Sequence, residues 1–307
     1  MANLFDRSFV FVVGKGGVGK TTVSTALALS AARRGKRVLV AMCNAKERLS
    51  HLLEVEPIGP HNREVAPGVD AVNMVPKYAL EEYGLMVLKV RAVYKAIFEN
   101  RFVAAFLRGT PGLEAWSMLG KAYYHTKEED EFGAKRYDLV ILDAPATGHG
   151  LEMLRVPQVI TDIAPPGLLR NEAEQALELF RDPARGGVVL VTLPEDMPVN
   201  ETLELHHALD TELAMPVTQL VINGVYPTLF DQMQCEACLS VADALPRGSP
   251  LTSLVAASRA RALRERLQAD AIRRLAAELP VPTTTLPHLF MPDFRRSAVE
   301  SLSHLFG

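Results

Sequence analysis

The sequence lacks the features of secreted, membrane-spanning and nucleic-acid-coating proteins. Three cysteines among 307 residues are too few for a disulfide scaffold, so a reducing, cytoplasmic setting is expected. No apolar run approaches the roughly 20 residues of a membrane span, and no transmembrane segment is expected. The stretch Met1 to Arg7 is too short and polar before the first apolar run to be a signal peptide. A net charge of −3 leaves no basic excess for a phosphate backbone, and no nucleic acid is expected as a partner. Internal repeats and low-complexity segments are absent. What remains is 48% hydrophobic and 22% charged, the balance of an ordinary soluble chain, long enough for one large core with an inserted lobe.

One stretch carries explicit chemistry: Gly14-Lys15-Gly16-Gly17-Val18-Gly19-Lys20-Thr21-Thr22. It follows the apolar run Phe9-Val10-Phe11-Val12-Val13, which reads as a buried parallel strand. After it, 23–34 places alanine and leucine at helical spacing. Strand, glycine loop and helix in that order predict a phosphate-binding P-loop. Glycines let backbone N–H groups turn inward around phosphates, and the helix N-terminus adds partial positive charge. Lys20 is expected to reach the β- and γ-phosphates, and Thr21 to place its hydroxyl on Mg²⁺.

Further along, strands are predicted at 37–42, 69–75, 137–143, 187–193, 218–223 and 281–286. The segment 43–50 falls where a nucleotide-sensing loop belongs, and 57–68 reads as proline- and glycine-punctuated loop. Helical pattern fills 77–127, broken at 109–112, and again 151–181, broken at 164–167. Helices are also expected at 201–213, 251–279 and 295–306, with 235–250 a loop. The alternation argues a doubly wound, mainly parallel α/β sheet. One P-loop domain over 1–307 is expected, with a helical lobe inserted at about 77–132 and 151–181.

Several motifs then converge. Asp143 ends an apolar strand where a Walker B acid would hold the Mg²⁺ shell, and Ala144-Pro145-Ala146-Thr147-Gly148-His149 follows it. Next come Leu154-Arg155-Val156-Pro157, Asp182-Pro183, Thr192-Leu193-Pro194-Glu195, Glu201-Thr202, Val221-Ile222-Asn223, and Leu286-Pro287 through Phe294-Arg295 to Leu305. In these residues nearly the whole chain resembles the arsenite-pump (ArsA) and guided-entry ATPase family. The resemblance implies a dimeric Mg²⁺-ATP switch with ATP hydrolase activity. Lys15 matches the extra lysine of the deviant Walker A class, which reaches across a dimer to the partner's nucleotide. By the same resemblance Lys15 and Lys20 stabilise the transferring phosphoryl group, and Gly14 to Thr22 hold the phosphates. Thr21 and Asp143 hold Mg²⁺, while Glu195 and Asn223 contact nucleotide, Asn223 at the adenine edge, which suits an amide that both donates and accepts.

Two departures stand out. Asn44 falls where the family's water-orienting aspartate belongs; an amide binds water but takes no proton. Ala45, Lys46 and Glu47 replace the proline, alanine and histidine that follow, leaving Asn44 or Glu47 to position water. The insert after Asp143, about thirty residues, is short for a full hydrophobic client groove.

Cys235-Glu236-Ala237-Cys238 falls near the guided-entry CxxC. Its two thiolates are half of a tetrahedral Zn²⁺ site that two chains would complete. A redox pair and unliganded surface cysteines stay open, as does an iron–sulfur carrier of the Mrp/ApbC type, whose cluster also needs four thiolates. Cys43 reads as local structure. A MinD/ParA-like positioning ATPase is a further reading, its last helix a membrane anchor, although that helix has few lysines and arginines. Met74, Met86, Met118 and Met153 suit either core packing or an adaptable client surface. His149 suits either a γ-phosphate sensor or a structural residue in a glycine-flanked loop. The expected partner is an identical chain, or a related ATPase that keeps the aspartate. A protein client or membrane partner stays open.

Overall fold

Strand β1 (Phe9–Val13) is buried at every position in the computed structural model, which describes residues 3–43, 46–88, 112–240 and 250–306. The two-residue strand period divides its side chains: Phe9, Phe11 and Val13 enter one core, and Val10 and Val12 the other. Two buried faces are what an uninterrupted apolar run needs.

On one side β1 pairs in parallel with β5 (Leu139–Asp143), and on the other with β6 (Gly186–Thr192). Outward from β5 lie β2 (Val38–Cys43), β4 (Val69–Met74) and β3 (Arg63–Ala66). Outward from β6 lie β7 (Val217–Val225) and β8 (Thr283–Pro287). This eight-stranded sheet is parallel except where β3 runs antiparallel to β4. The chain moves one way from β1 to β2 and the other way from β5 across β1 to β6, so the carboxyl end of β1 is the topological switch point, where α/β sheets open a crevice.

Helix α1 (Lys20–Arg33) covers one face, packing Val23, Ala26 and Leu27 into the core that Val299, Leu302 and Phe306 complete. Its end is tied to α10 (Arg296–Ser303) by Arg33, which donates to Ser303, and Arg34, which donates to the Phe306 carbonyl. The other face is covered by α3 (Pro76–Leu88), α4 (Leu113–Tyr124), α5 (Thr147–Ile163), α6 (Leu168–Arg181) and α7 (Asp196–Ala208). Phe180 of α6 meets Phe9 and Phe11 at centroid distances of 4.9 and 4.8 Å. Trp116 and Tyr123 of α4 share that core, so these helices pack on the sheet itself. Loss of the Phe180 ring would cost about 3–5 kcal/mol.

Four local expectations are corrected. The stretch 57–68 is not all loop: Pro67-Gly68, with Gly68 at φ +75°, is the tight turn of the β3–β4 hairpin. A short helix, α2 (Leu49–Leu53), follows β2, with Leu49 and Leu53 fully buried. Thr147, Gly148 and His149 form the first turn of α5 rather than a loop. Cys235 and Cys238 lie on α8 (Gln232–Ser240), not in a loop. Its start is a reciprocal cap: the Gln234 N–H donates to the Asp231 carboxylate at 2.8 Å, and the Asp231 N–H to the Gln234 amide oxygen at 3.0 Å. After it, α9 (Thr252–Glu278) matches the long helix expected. Met74, Met118 and Met153 are buried core residues.

Candidate functional site

The loop between β1 and α1 closes on itself. Gly14 and Gly19 take φ of +153° and +95°, and a Cβ on either would collide: at Gly14 it would lie 2.2 Å from the Val191 carbonyl, and at Gly19 2.3 Å from the Asn223 amide nitrogen. Asn223, near the end of β7, donates to the Val18 carbonyl at 2.8 Å, tying the loop to its neighbouring strand. Lys20 turns back and donates to the Gly14 and Lys15 carbonyls, each at 3.0 Å. Burial lowers its pKa from the usual lysine value, and the charge of Asp143 partly restores it.

Asp143 sits at the carboxyl end of β5, beside the start of α1. The Thr21 hydroxyl donates to one of its oxygens at 2.6 Å and the Ser24 hydroxyl approaches the other at 3.3 Å. Burial pushes the carboxyl up to about 6, against the hydrogen bonds from Thr21 and Ser24 and the charge of Lys20. Hydroxyl and carboxylate oxygens are hard donors of the kind Mg²⁺ takes, so the set fits that ion.

Lys20, Thr21 and Asp143 line a cavity of about 580 Å³, together with Gly17, Gly19, Thr22, Ala144 to Ala146, Arg48, His51, Leu52 and Phe294. Cys43 also lines it; burial, and secondarily the charge of Asp143, raises its thiol pKa above the usual value, so it stays an inert apolar neighbour of Met153 at 3.7 Å. Glu47 is committed elsewhere. Its carboxylate accepts the Ser50 N–H and hydroxyl, each at 2.6 Å, as a cap on α2. Glu47 is not among the residues that line the cavity.

Lys15 sits half-buried in the loop, its ammonium 2.7 Å from the carboxylate of Glu201 on α7 of the same chain. Glu195 precedes α7 with its side chain exposed, beside a second cavity of about 660 Å³ that Leu193, Pro194, Gly224, Tyr226, Arg264 and His288 also line. Tyr226 stacks on His288 at 4.6 Å, and Arg264 lies over Tyr226 at 4.9 Å. Asn44 lies outside the described residues, as do the side chains of Thr147 and His149. Cys235 and Cys238 are free thiols far along the chain on α8, with the Cys235 Sγ 3.5 Å from the Ala262 carbonyl. Among the described residues no group of three or more His, Cys, Asp and Glu side chains could hold a metal ion, so one chain supplies no complete zinc site from them.

Sequence reasoning missed Ser24 and His51; Arg48 falls within 43–50, the segment expected to sense nucleotide, without being singled out. Ser24 was legible, three residues after Thr21 on one helical face. His51 carried no signal, because the register of α2 against the loop is a tertiary fact.

A family model described as anion-transporting ATPase (ArsA ATPase) matches residues 7–164 and 168–244. ATPase BagA of Mycobacterium tuberculosis is 28% identical over 221 residues, 70% of this chain and 64% of the relative. An arsenical pump-driving ATPase of Escherichia coli is 27% identical over 235 residues, 71% of this chain and 40% of the relative. ATPase GET3 of Kluyveromyces lactis is 24% identical over 268 residues, 76% of each chain. The match thus spans less than two thirds of the mycobacterial relative's length and two fifths of the bacterial pump's. Among the described residues no helix is long and apolar enough to cross a membrane.

Proposed function

This chain belongs to the anion-transporting ATPase family, and from that premise we propose that it is a Mg²⁺-dependent ATP hydrolase whose dimer is switched by nucleotide. The observation that carries the reading is the convergence of Lys20, Thr21 and Asp143 on one cavity, with Ser24 bonded to Asp143. The backbone N–H groups from Gly14 to Thr22 would take the phosphates. The Lys20 ammonium would move from the Gly14 and Lys15 carbonyls onto phosphate oxygens, exchanging neutral acceptors for charged ones. Thr21 and Asp143 would hold Mg²⁺, which when bound neutralises charge on the phosphate oxygens. Glu195 and Asn223 would face the adenosine end. The Asn223 amide keeps one N–H on Val18 and has its second N–H and its oxygen for the adenine edge.

In the dimer, Lys15 would leave Glu201 and act on the partner's phosphates. That exchange replaces one half-exposed ion pair with another, so its cost is small. Cys235 and Cys238 would form half of an interchain Zn²⁺ site. The helices in 77–132 and 151–181 would form the lobe that nucleotide moves, in an ordered-versus-released switch.

Hydrolysis would be slow. By the family resemblance Asn44 would take the water-orienting aspartate's place, Glu47 is held by Ser50, and no carboxylate other than Asp143 lines the cavity among the described residues. A chain that keeps its nucleotide-binding groups while losing the base works best beside a relative that retains the aspartate. Single-turnover hydrolysis of the native chain and of Asn44→Asp tests this. A gain of roughly 10²-fold or more is expected from the substitution. A native chain that already turns over as fast as Asn44→Asp would overturn it.

A further inference from the structure

We infer that Arg48 is the cationic contact for the terminal phosphate of bound ATP and makes the site prefer triphosphate to diphosphate; this rests on the ATPase reading above. Arg48 and His51 line the same cavity as Lys20, Thr21 and Thr22. Lys20 and Thr21, at the first turn of α1, mark where β- and γ-phosphates sit in a P-loop. A phosphoryl group held there would share the cavity that Arg48 borders. Asp143 is the one acid lining that space among the described residues, so an added anion meets a guanidinium rather than a carboxylate.

The local build separates an anchored backbone from an available head group. Glu47 is fixed to Ser50, and the Arg48 carbonyl accepts the Leu52 N–H at 3.0 Å. Leu49, the next residue, is fully buried, whereas the Arg48 side chain is exposed at the cavity rim. Among the described residues no carboxylate pairs with it. A guanidinium fork matches two oxygens of a phosphoryl group, and the bonds are charge-assisted. Its exposure makes it a contact formed on binding rather than a structural element. Arg48 therefore reads phosphate number, while the glycine loop reads only the presence of phosphate.

The test is equilibrium binding of mant-ATP and mant-ADP, with Mg²⁺ at fixed ionic strength, to the native chain, Arg48→Ala and Arg48→Lys. Arg48→Ala is expected to weaken mant-ATP binding roughly tenfold while leaving mant-ADP within about twofold, and Arg48→Lys to recover part of the loss. Because the side chain is exposed, the thermal midpoint of Arg48→Ala should stay close to the native value. Unchanged mant-ATP affinity, or equal loss of both nucleotides, would overturn the inference while leaving the ATPase reading intact. Failure of the native chain to bind mant-ATP would overturn both.

Discussion

The two walls of the phosphate cavity are built on different principles. The wall formed by the glycine loop and the end of β5 is closed by its own hydrogen bonds: Lys20 on two carbonyls, Thr21 and Ser24 on Asp143, and Asn223 on Val18. The other wall is α2, a five-residue helix held by its buried leucines and the Glu47 cap, with Arg48 just before it and His51 within it lining the cavity. The backbone of the first wall is preorganised, so phosphate binding would ask only for side-chain exchange, with Lys20 trading carbonyls for phosphate oxygens. The second contributes charge on a side chain whose position the ligand decides. Affinity should thus live in the first wall, and discrimination between nucleotide states in the second.

Substitutions rank by how deeply they cut into that division. Lys20→Ala removes the cation of the fixed wall and should lower affinity for ATP and ADP together by about 10²-fold, measured by calorimetry; a loss confined to ATP would break the comparison. Asp143→Asn should abolish the Mg²⁺ dependence of binding while stabilising the ligand-free protein. The sign follows from burial. Folded, the carboxyl titrates at about 6; unfolded, it titrates near 4. Stability from this group is therefore present below about 4 and is lost as pH rises toward 6. In Mg²⁺-free buffer at neutral pH the amide should be about 1–3 kcal/mol more stable, the gain vanishing near pH 4, as thermal melts would show. A melting point below the native value at neutral pH would mean that the Thr21 and Ser24 bonds outweigh burial.

Asn223→Ala cuts the tie to Val18 and should cost about 1 kcal/mol of stability, with a several-fold weakening of ATP and ADP alike. Denaturant titration beside binding assays would detect it. Glu201→Gln is the smallest. The pair with Lys15 is about 30% exposed on each side, so stability should change by less than about 0.5 kcal/mol, while ATP-dependent association, followed by sedimentation, should become easier.

What the sequence revealed was local, or local twice over. The strand–loop–helix order around Gly14 to Thr22 and the acid closing β5 sit in short stretches with their own periodicity, and parallel pairing then brings Val12 into register with Asp143. The β3–β4 hairpin and α8 were written locally too, in Pro67-Gly68 and in the Asp231-to-Gln234 cap. The proline and glycine punctuation outweighed the first signal, and the second went unread. Glu201 beside Lys15, Asn223 beside Val18 and His51 beside the cavity depend on how distant elements stack, and no spacing encodes that.

The most direct test of the two-wall account is hydrogen–deuterium exchange of the native chain in Mg²⁺ alone, with ADP and with ATP. The account predicts that both nucleotides protect amides of 14–22, and that only ATP adds protection at 47–53. No nucleotide-dependent protection at 14–22, or equal protection of 47–53 by ADP and ATP, would contradict it.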